Sequence, residues 1–527
     1  MTVHTRPEAT LGEQTQAYSD IRSRSADESR PSAVDAQHGR GAMTARERVD
    51  YLVDTGSFAE LGSLAWGADR NIADSAGDGI VIGRAYIDAR PVVVVAYDFT
   101  VNGASMGRVN DEKFARARQI SLRSGIPLVM LIEGGGARIT ERMGSTTIRG
   151  HERFSDLGLL SGWAPIVTGV VGPTYAGHAN LVALSDFVVM TTKASLGLAG
   201  PRLVKAATGE EVTQSDFNSA LHARKIGSID REAADDAELL DIIRGYLSYL
   251  PSNCSLKPPR LNYPTIAERD DERLDERLDD EVLTLVPAES SRAYDMRRLV
   301  ATVVDDGEFF ELKPGFARNV ITAFARVGGH SVGIIANNPL FMAGVLDGDS
   351  SDKMARFINI CDAYNIPILV LVDVPGYIVG VQAERTNLVR RSMRPLWELS
   401  QSTVPIMTVV IRKAYGLAYH TMGGAEFHPE LMVCWPTARV SPMGAEGAVN
   451  ILHGKKGIVD DERRAALIDT YKALEEPIAA AEEFKIDDVI DPRDTRQAIL
   501  RILDFVADRP HQTGHWRPAK RRGISPH

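Results

Sequence analysis

Two turns in this 527-residue sequence have residue types that could stabilise negative charge without a charged side chain. They read Gly172-Pro-Thr-Tyr-Ala-Gly-His178 and Arg412-Lys-Ala-Tyr-Gly-Leu-Ala418, and they follow the apolar strand patterns Ile166 to Val171 and Val404 to Ile411. Small residues where a strand passes into a helix leave backbone N–H groups bare at the positive helix end. Such donors suit a carbonyl oxygen that gains charge during reaction, as on a thioester or a urea. Tight packing is the competing explanation for either turn alone, and its recurrence at equivalent places weighs against that. A second pair of loops ends two other apolar strands, Glu133-Gly-Gly-Gly-Ala-Arg138 and Asp373-Val-Pro-Gly376. Three successive glycines let a backbone approach a ligand closely, but the spacing is not that of a phosphate loop closed by Gly-Lys-Ser/Thr, so nucleotide hydrolysis has no support.

Other chemistries find less footing. Gly103-Ala-Ser105-Met-Gly107 fits the G-x-S-x-G pattern, yet a nucleophile elbow needs a strand directly before it and a helix directly after. Here the strand pattern ends near Phe99 and the helical one starts near Asp111. The twelve histidines show no metal spacing, with His420 and His428 separated by no acidic motif, and no metal is expected. The three cysteines, Cys254, Cys361 and Cys434, form no C-x-x-C pair, which excludes a zinc ribbon or disulfide framework and suits buried thiols in a reducing cytoplasm.

The elements that position these turns come from an ordinary soluble composition, 44% hydrophobic and 25% charged. The net charge of −10 disfavours non-specific nucleic-acid binding. No apolar run approaches the ~18 residues of a membrane span. Residues 1–43 are polar, with Glu8, Glu13, Asp20 and Asp27 set against a transit peptide, and are expected to form a disordered lead. Thr44-Ala-Arg-Glu47 is a capping box that should open the first helix.

The sequence also repeats itself. At an offset of 240, Lys113, Ala115, Arg116, Ile126 and Pro127 fall on Lys353, Ala355, Arg356, Ile366 and Pro367. Pro165, Thr168, Val170 and Tyr175 fall on Pro405, Thr408, Val410 and Tyr415. The offset then becomes 244, with Ala194 on Ala438 and Gly200 on Gly444. So long a period means a duplicated domain rather than a solenoid. Each copy predicts two strands (Gly79 to Ile87 and Pro91 to Tyr97; Val320 to Val327 and Ser331 to Asn337), a helix, a buried strand, a second helix and another buried strand. The first copy's first helix is expected over Asp111 to Ser124. Buried strands alternating with helices define an α/β layered domain. The expected division is 44–250 and 291–510, with an exposed linker at 251–290 carrying the charged run Asp270 to Glu276, and a tail at 511–527.

Taken together, the chain resembles the carboxyltransferase (β) subunit of biotin-dependent acyl-CoA carboxylases of the propionyl-CoA and acetyl-CoA type, from about Thr44 to Leu503. The likeness is carried by Thr44-Ala-Arg-Glu-Arg48, Gly134 to Ile139, Ala207-Thr-Gly-Glu-Glu-Val212, Leu250-Pro-Ser-Asn253 and Tyr294-Asp-Met-Arg297. It continues through Asp349-Ser-Ser-Asp-Lys353, Val372-Asp-Val-Pro-Gly376, Arg412-Lys-Ala-Tyr-Gly416, Met443-Gly-Ala-Glu-Gly-Ala448 and Asp487-Asp-Val-Ile-Asp-Pro492.

The resemblance implies two duplicated crotonase-like (ClpP/crotonase superfamily) domains, the N-terminal one on the acyl-CoA side and the C-terminal one on the biotin side. It further implies transfer of CO₂ from carboxybiotin to the α-carbon of a short acyl-CoA with no side chain needed as acid or base. By matching, a thioester enolate would face Ala176 and Gly177, and the biotin carbonyl would face Leu417 and Ala418. Gly134, Gly135, Gly136, Ala137, Arg138 and His420 would line the acyl-CoA site, and Gly376, Tyr415 and Gly416 the biotin site. Relatives show Gly-Gly where this chain has Ala176-Gly177 and Gly416-Leu417, and an acidic residue where it has His420. The chain has no biotinyl-lysine segment and no ATP-grasp pattern, so a partner is implied, a biotin carboxylase and biotin carboxyl carrier (α) subunit, along with a homohexamer built as a trimer of dimers. Two alternatives stay open: a decarboxylase or transcarboxylase subunit on the same fold, or a non-catalytic assembly subunit whose altered turns have lost activity.

Overall fold

A computed structural model of the chain describes residues 9–67, 75–145, 153–263, 281–457, 460–507 and 523–525. They fall into two compact units, the first reaching Ser248 and including Ser252–Cys254, the second comprising Tyr249–Pro251 and Ser255–Ser525.

The first unit is built on an eight-stranded sheet: β1 (Ala59–Leu61), β2 (Ile80–Ile87), β3 (Arg90–Tyr97), β4 (Leu128–Gly134), β5 (Ile166–Tyr175), β6 (Phe187–Thr191), β7 (Ser195–Gly197) and β8 (Arg231–Ala233). The spatial order is β1-β2-β3-β4-β5-β6-β8, with β7 on the end of β5. β1 to β3 are antiparallel, and β3 onward are parallel. β4 is buried along its whole length because helices such as Arg108–Ser124 cover the sheet. That helix starts three residues before the expected Asp111, at Arg108.

The second unit repeats the plan with β9 (Phe309–Leu312), β10 (Val320–Val327), β11 (His330–Asn337), β12 (Ile368–Val374), β13 (Ile406–Tyr415), β14 (Leu431–Cys434), β15 (Arg439–Ser441) and β16 (Asp488–Val489). Its order is β9 at one edge, then β10-β11-β12-β13-β14-β16, with β15 on the end of β13. The repeat extends to an irregularity of register. Ile132 pairs with Val170 but Gly134 with Thr174, so one residue, Glu133, faces three on β5. Val372 and Val374 pair with Val410 and Ala414 in the same way, leaving Asp373 in the gap. Such a bulge bends the longer strand and re-aims its C-terminal end. Both strands therefore run past the expected Val171 and Ile411 to Tyr175 and Tyr415, where the three-residue β7 and β15 supply pairing partners.

Three other expectations are corrected. Residues 11–23 and 31–39 of the expected disordered lead are helices. The segment is fixed by Arg30, buried against Asp98 at 2.9 Å, and by Gln37, whose amide donates to Glu133 at 3.3 Å. The expected exposed linker is anchored at both described ends. Leu261 N–H donates to Gly329 O at 3.0 Å, and Val282, Leu285 and Val286 enter the second core. Its charged run Asp270 to Glu276 lies outside the described residues, as does the tail except 523–525. Of the cysteines, Cys361 and Cys434 are buried and Cys254 is half-buried. Thr44 does cap the helix Ala45–Leu52, accepting from Glu47 N–H while Glu47 accepts from Thr44 N–H.

Candidate active site

In the first unit β5 ends at Tyr175 and the short helix Gly177–Ala183 begins at once. Between them Ala176 takes φ +53°, ψ −124°, a conformation suited to glycine. A non-glycine residue held there stores on the order of 1–3 kcal/mol and persists only where its surroundings fix it. The glycine loop after β4 fixes it. A Cβ added to Gly136 (φ +92°) would lie 2.8 Å from the Ala176 Cβ and 3.3 Å from the Gly177 nitrogen, so the loop backbone rests directly on the turn. The expected glycines thus share one place with the expected donors. Gly135 and Ala137 are exposed beside them, and Gly136 is buried.

A third strand of chain joins these two. Met106 N–H donates to Gly136 O at 2.9 Å, and Arg138 N–H donates to Met106 O at 3.0 Å. The Met106 sulfur lies 3.2 Å from where a Cβ on Gly177 would stand, with Arg153 Nη1 also 3.2 Å from it. Arg138 turns its guanidinium to Asp78 (2.5 Å), Glu141 (2.7 Å) and both the carbonyl and hydroxyl of Ser105 (3.0 and 3.1 Å). Two carboxylates thereby offset its charge, and it braces the loop bearing Met106. Ser105 donates to Asn102 O at 2.8 Å, so its hydroxyl is engaged in the loop rather than activated by a histidine.

The second unit repeats the backbone scheme. Leu346 N–H donates to Gly376 O at 3.0 Å and Ile378 N–H to Leu346 O at 2.8 Å. β13 ends at Tyr415, and Gly416 (φ +58°) opens the helix Gly416–Thr421. A Cβ there would stand 2.9 Å from Pro442 O, so glycine is required for both conformation and space. Leu417 and Ala418 lie in the first turn of that helix, as Gly177 does in its own, and first-turn N–H groups have no intrahelical acceptor. Leu417 is exposed and Ala418 buried. Tyr415 donates its hydroxyl to Glu475 at 2.7 Å, and burial, followed by that bond, raises its pKa, so its proton is committed to Glu475. His420 lies near Tyr419, ring centroids 5.2 Å apart, with Nδ1 3.2 Å from Glu426 Oε2.

Several supporting residues went unread in the sequence. Glu133 and Asp373 occupy the two bulges, both buried. Glu133 pairs with Arg48, which comes from the helix Ala45–Leu52, and burial nevertheless raises its pKa. Asp373 accepts from Arg412 Nε and the Tyr294 hydroxyl, each at 3.0 Å, and from Lys413 N–H at 3.1 Å. The signal was available, since both acids stand at the 240 offset. His178 had no such signal, because its equivalent is Ala418. Among the described residues no group of three or more His, Cys, Asp or Glu could hold a metal ion, and no helix is long and apolar enough to cross a membrane.

Two units of one α/β plan, each seating a glycine loop on or beside a turn of backbone donors, define a protein of the duplicated crotonase-like class. The carboxyl transferase domain family matches residues 36–521, and the chain belongs to that family. It is a carboxyltransferase subunit of the acyl-CoA carboxylase type. It is 39% identical over 504 residues to the methylmalonyl-CoA carboxyltransferase 12S subunit of Propionibacterium freudenreichii subsp. shermanii, covering 94% of this chain and 93% of that protein. It is 38% identical over 508 residues to the propionyl-CoA carboxylase beta chain of Saccharopolyspora erythraea, covering 94% and 92%. The crystal structure of transcarboxylase 12S, a hexamer described with methylmalonyl-CoA and methylmalonic acid bound, is matched at a TM-score of 0.88 and 36% identity over 98% of this chain and 99% of that one.

Proposed function

We propose that this chain transfers CO₂ between carboxybiotin, presented by a partner subunit, and the α-carbon of a short acyl-CoA. The observation that carries this reading is the pair of strand-to-helix turns, each offering backbone N–H groups and no ionised side chain among its own donors. An enolate oxygen is stabilised by donors already in place, so neutral amides serve a thioester as it gains charge and a ureido carbonyl in the same way. The acyl side is assigned to Ala176 and Gly177 with the loop Gly134 to Arg138. The biotin side is assigned to Leu417 and Ala418, with Gly376, Tyr415 and Gly416 around them. Bound carboxybiotin supplies the CO₂ and the base. The chain's own residues orient the two carbonyls, hold the turns rigid and keep nearby charged groups paired, Arg138 with Asp78, Arg153 with Asp111 and Arg412 with Asp373.

Free biotin gives a test without a partner. The chain mixed with methylmalonyl-CoA or malonyl-CoA should release acyl-CoA at a rate that rises with biotin concentration, followed by chromatography of the thioesters. Loss of the carboxyl group independent of biotin would contradict the reading. The likeness to the 12S subunit supports a transcarboxylase role as a second reading, which uses the same transfer and differs in its acceptor.

The partner is assigned as a biotin carboxylase and biotin carboxyl carrier subunit. Hexameric assembly is supported by the likeness to the 12S hexamer and by an exposed apolar row, Val389, Met393 and Trp397, on the helix Leu388–Gln401.

His420 is assigned to acyl selectivity. An imidazole is bulkier than a carboxylate and can donate a hydrogen bond, which an ionised carboxylate cannot. A pocket methylene is typically worth ~1–3 kcal/mol, so His420→Asp should change the ranking of kcat/KM across acetyl-, propionyl-, butyryl- and branched acyl-CoA at least several-fold. Identical rankings for wild type and variant would remove His420 from the pocket.

A further inference from the structure

We infer that His178 is a positioning residue for the acyl-side turn: its ring reaches back from the turn, holds the Gly136 N–H and so ties the glycine loop to the strained Ala176–Gly177 backbone. The inference rests on the reading of that turn as the thioester site.

Gly136 N–H donates to His178 Nδ1 at 2.9 Å, which fixes the neutral ring with its proton on Nε2. This bond has two consequences. The Gly136 N–H is already engaged and is not itself a donor to a thioester. The loop resting on Ala176 is also attached to the residue immediately after Gly177, closing a short brace across the two segments. The ring is fully buried and set edge-on to Tyr97, centroids 4.5 Å apart at 82°. Burial, and secondarily the charge of Arg153, push its pKa down to about 3, so near neutral pH it remains an acceptor.

The duplication provides an internal comparison. A Cβ on Gly134 would stand 2.7 Å from His178 Cε1, so the ring occupies space that a side chain at 134 would need. At the offset of 240 the second unit has Val374 and Ala418 instead, both buried. The first unit has therefore exchanged a packed valine for a glycine and a hydrogen-bonding ring. Packing alone does not need a ring nitrogen aimed at a backbone amide. The second unit instead ties its loop through Tyr377, whose hydroxyl lies 3.2 Å from both Ser351 Oγ and Thr421 Oγ1.

The test uses the full chain as His178→Ala and His178→Asn, the asparagine oxygen standing near the position of Nδ1. In His178→Ala, amide exchange of the peptide spanning 133–138 should accelerate ~10-fold or more, because its buried donor loses its acceptor. With a biotinylated partner, kcat should fall on the order of 10–10²-fold, less than the loss of an oxyanion donor itself, with the acyl-CoA KM changed under ~3-fold. His178→Asn should restore most of the exchange protection and of kcat. Wild-type exchange and kcat in His178→Ala would overturn the inference, and so would an asparagine variant that fails to improve on alanine in both readouts. If the wild type does not turn over with its partner, the reading of the turn fails, while the exchange comparison still decides the brace.

Discussion

A correctly folded Gly177→Pro variant should lose on the order of 10²–10³ in kcat, the usual cost of one oxyanion donor. Gly177 is the first residue of its helix, the position where proline's fixed φ and missing N–H are best accommodated. The ring's nearest obstacle is the Met106 sulfur, 3.2 Å from an added Cβ and at the end of a flexible side chain. The substitution removes one N–H, and its ring also presses on Ala176, already strained at φ +53°, ψ −124°. Near-wild-type acyl-CoA binding is therefore the control for an intact turn, and binding should change far less than turnover. Ser105→Ala is the companion control. Its hydroxyl links Asn102 O to Arg138, so its loss should leave kcat within ~3-fold, as surface and loop changes away from special features usually do. Initial rates with a biotinylated partner check both. Wild-type kcat in Gly177→Pro would reduce the turn to packing, and complete loss in Ser105→Ala would revive a serine nucleophile.

The second large effect is expected at Gly416. Gly416→Ala must hold a side chain at φ +58°, which costs roughly 1 kcal/mol or more, and must place it 2.9 Å from Pro442 O, a backbone atom with little freedom to retreat. Both burdens fall on the biotin-side turn. The expected result is a folded protein whose biotin-dependent rate falls at least ~10²-fold, because a turn displaced by even an ångström no longer aims its donors. The acyl-CoA KM should change much less than the biotin-dependent rate, since the acyl-side donors at Ala176 and Gly177 are untouched and only His420 lies on the displaced helix. An unchanged dependence on biotin would show that the turn is not the biotin site. Ala176 makes an instructive contrast, because it already carries a Cβ at φ +53°.

The duplication was legible in the sequence because identities at one offset sit inside matching strand patterns, and the structure extends it to the bulges at Glu133 and Asp373. The ends of β5 and β13 were not. Gly172-Pro-Thr and Arg412-Lys have no apolar alternation, and they are strand only because β7 and β15 come back in sequence to pair with them. The helices before Met43 were illegible for a related reason. Their residues are polar, and their order is tertiary in origin: Arg30 on Asp98 and Gln37 on Glu133. At the site, the small residues announced the turns, since glycine and alanine at strand ends have few other purposes. Nothing in the sequence announced that Arg138 would be taken up by Asp78 and Glu141, or that His178 would lie beneath the glycine loop. Those pairings depend on segments brought together only by the fold.

Fixation of labelled bicarbonate onto acyl-CoA with ATP tests the central claim most directly, run with the purified chain alone, with a biotinylated carboxylase partner alone, and with both. Incorporation is expected only with both, with the label on the α-carbon's new carboxyl group and with avidin abolishing it. Robust ATP-dependent fixation by this chain alone, or none with any biotinylated partner that binds it, would contradict a carboxyltransferase subunit that works through backbone donors on biotin presented by another chain.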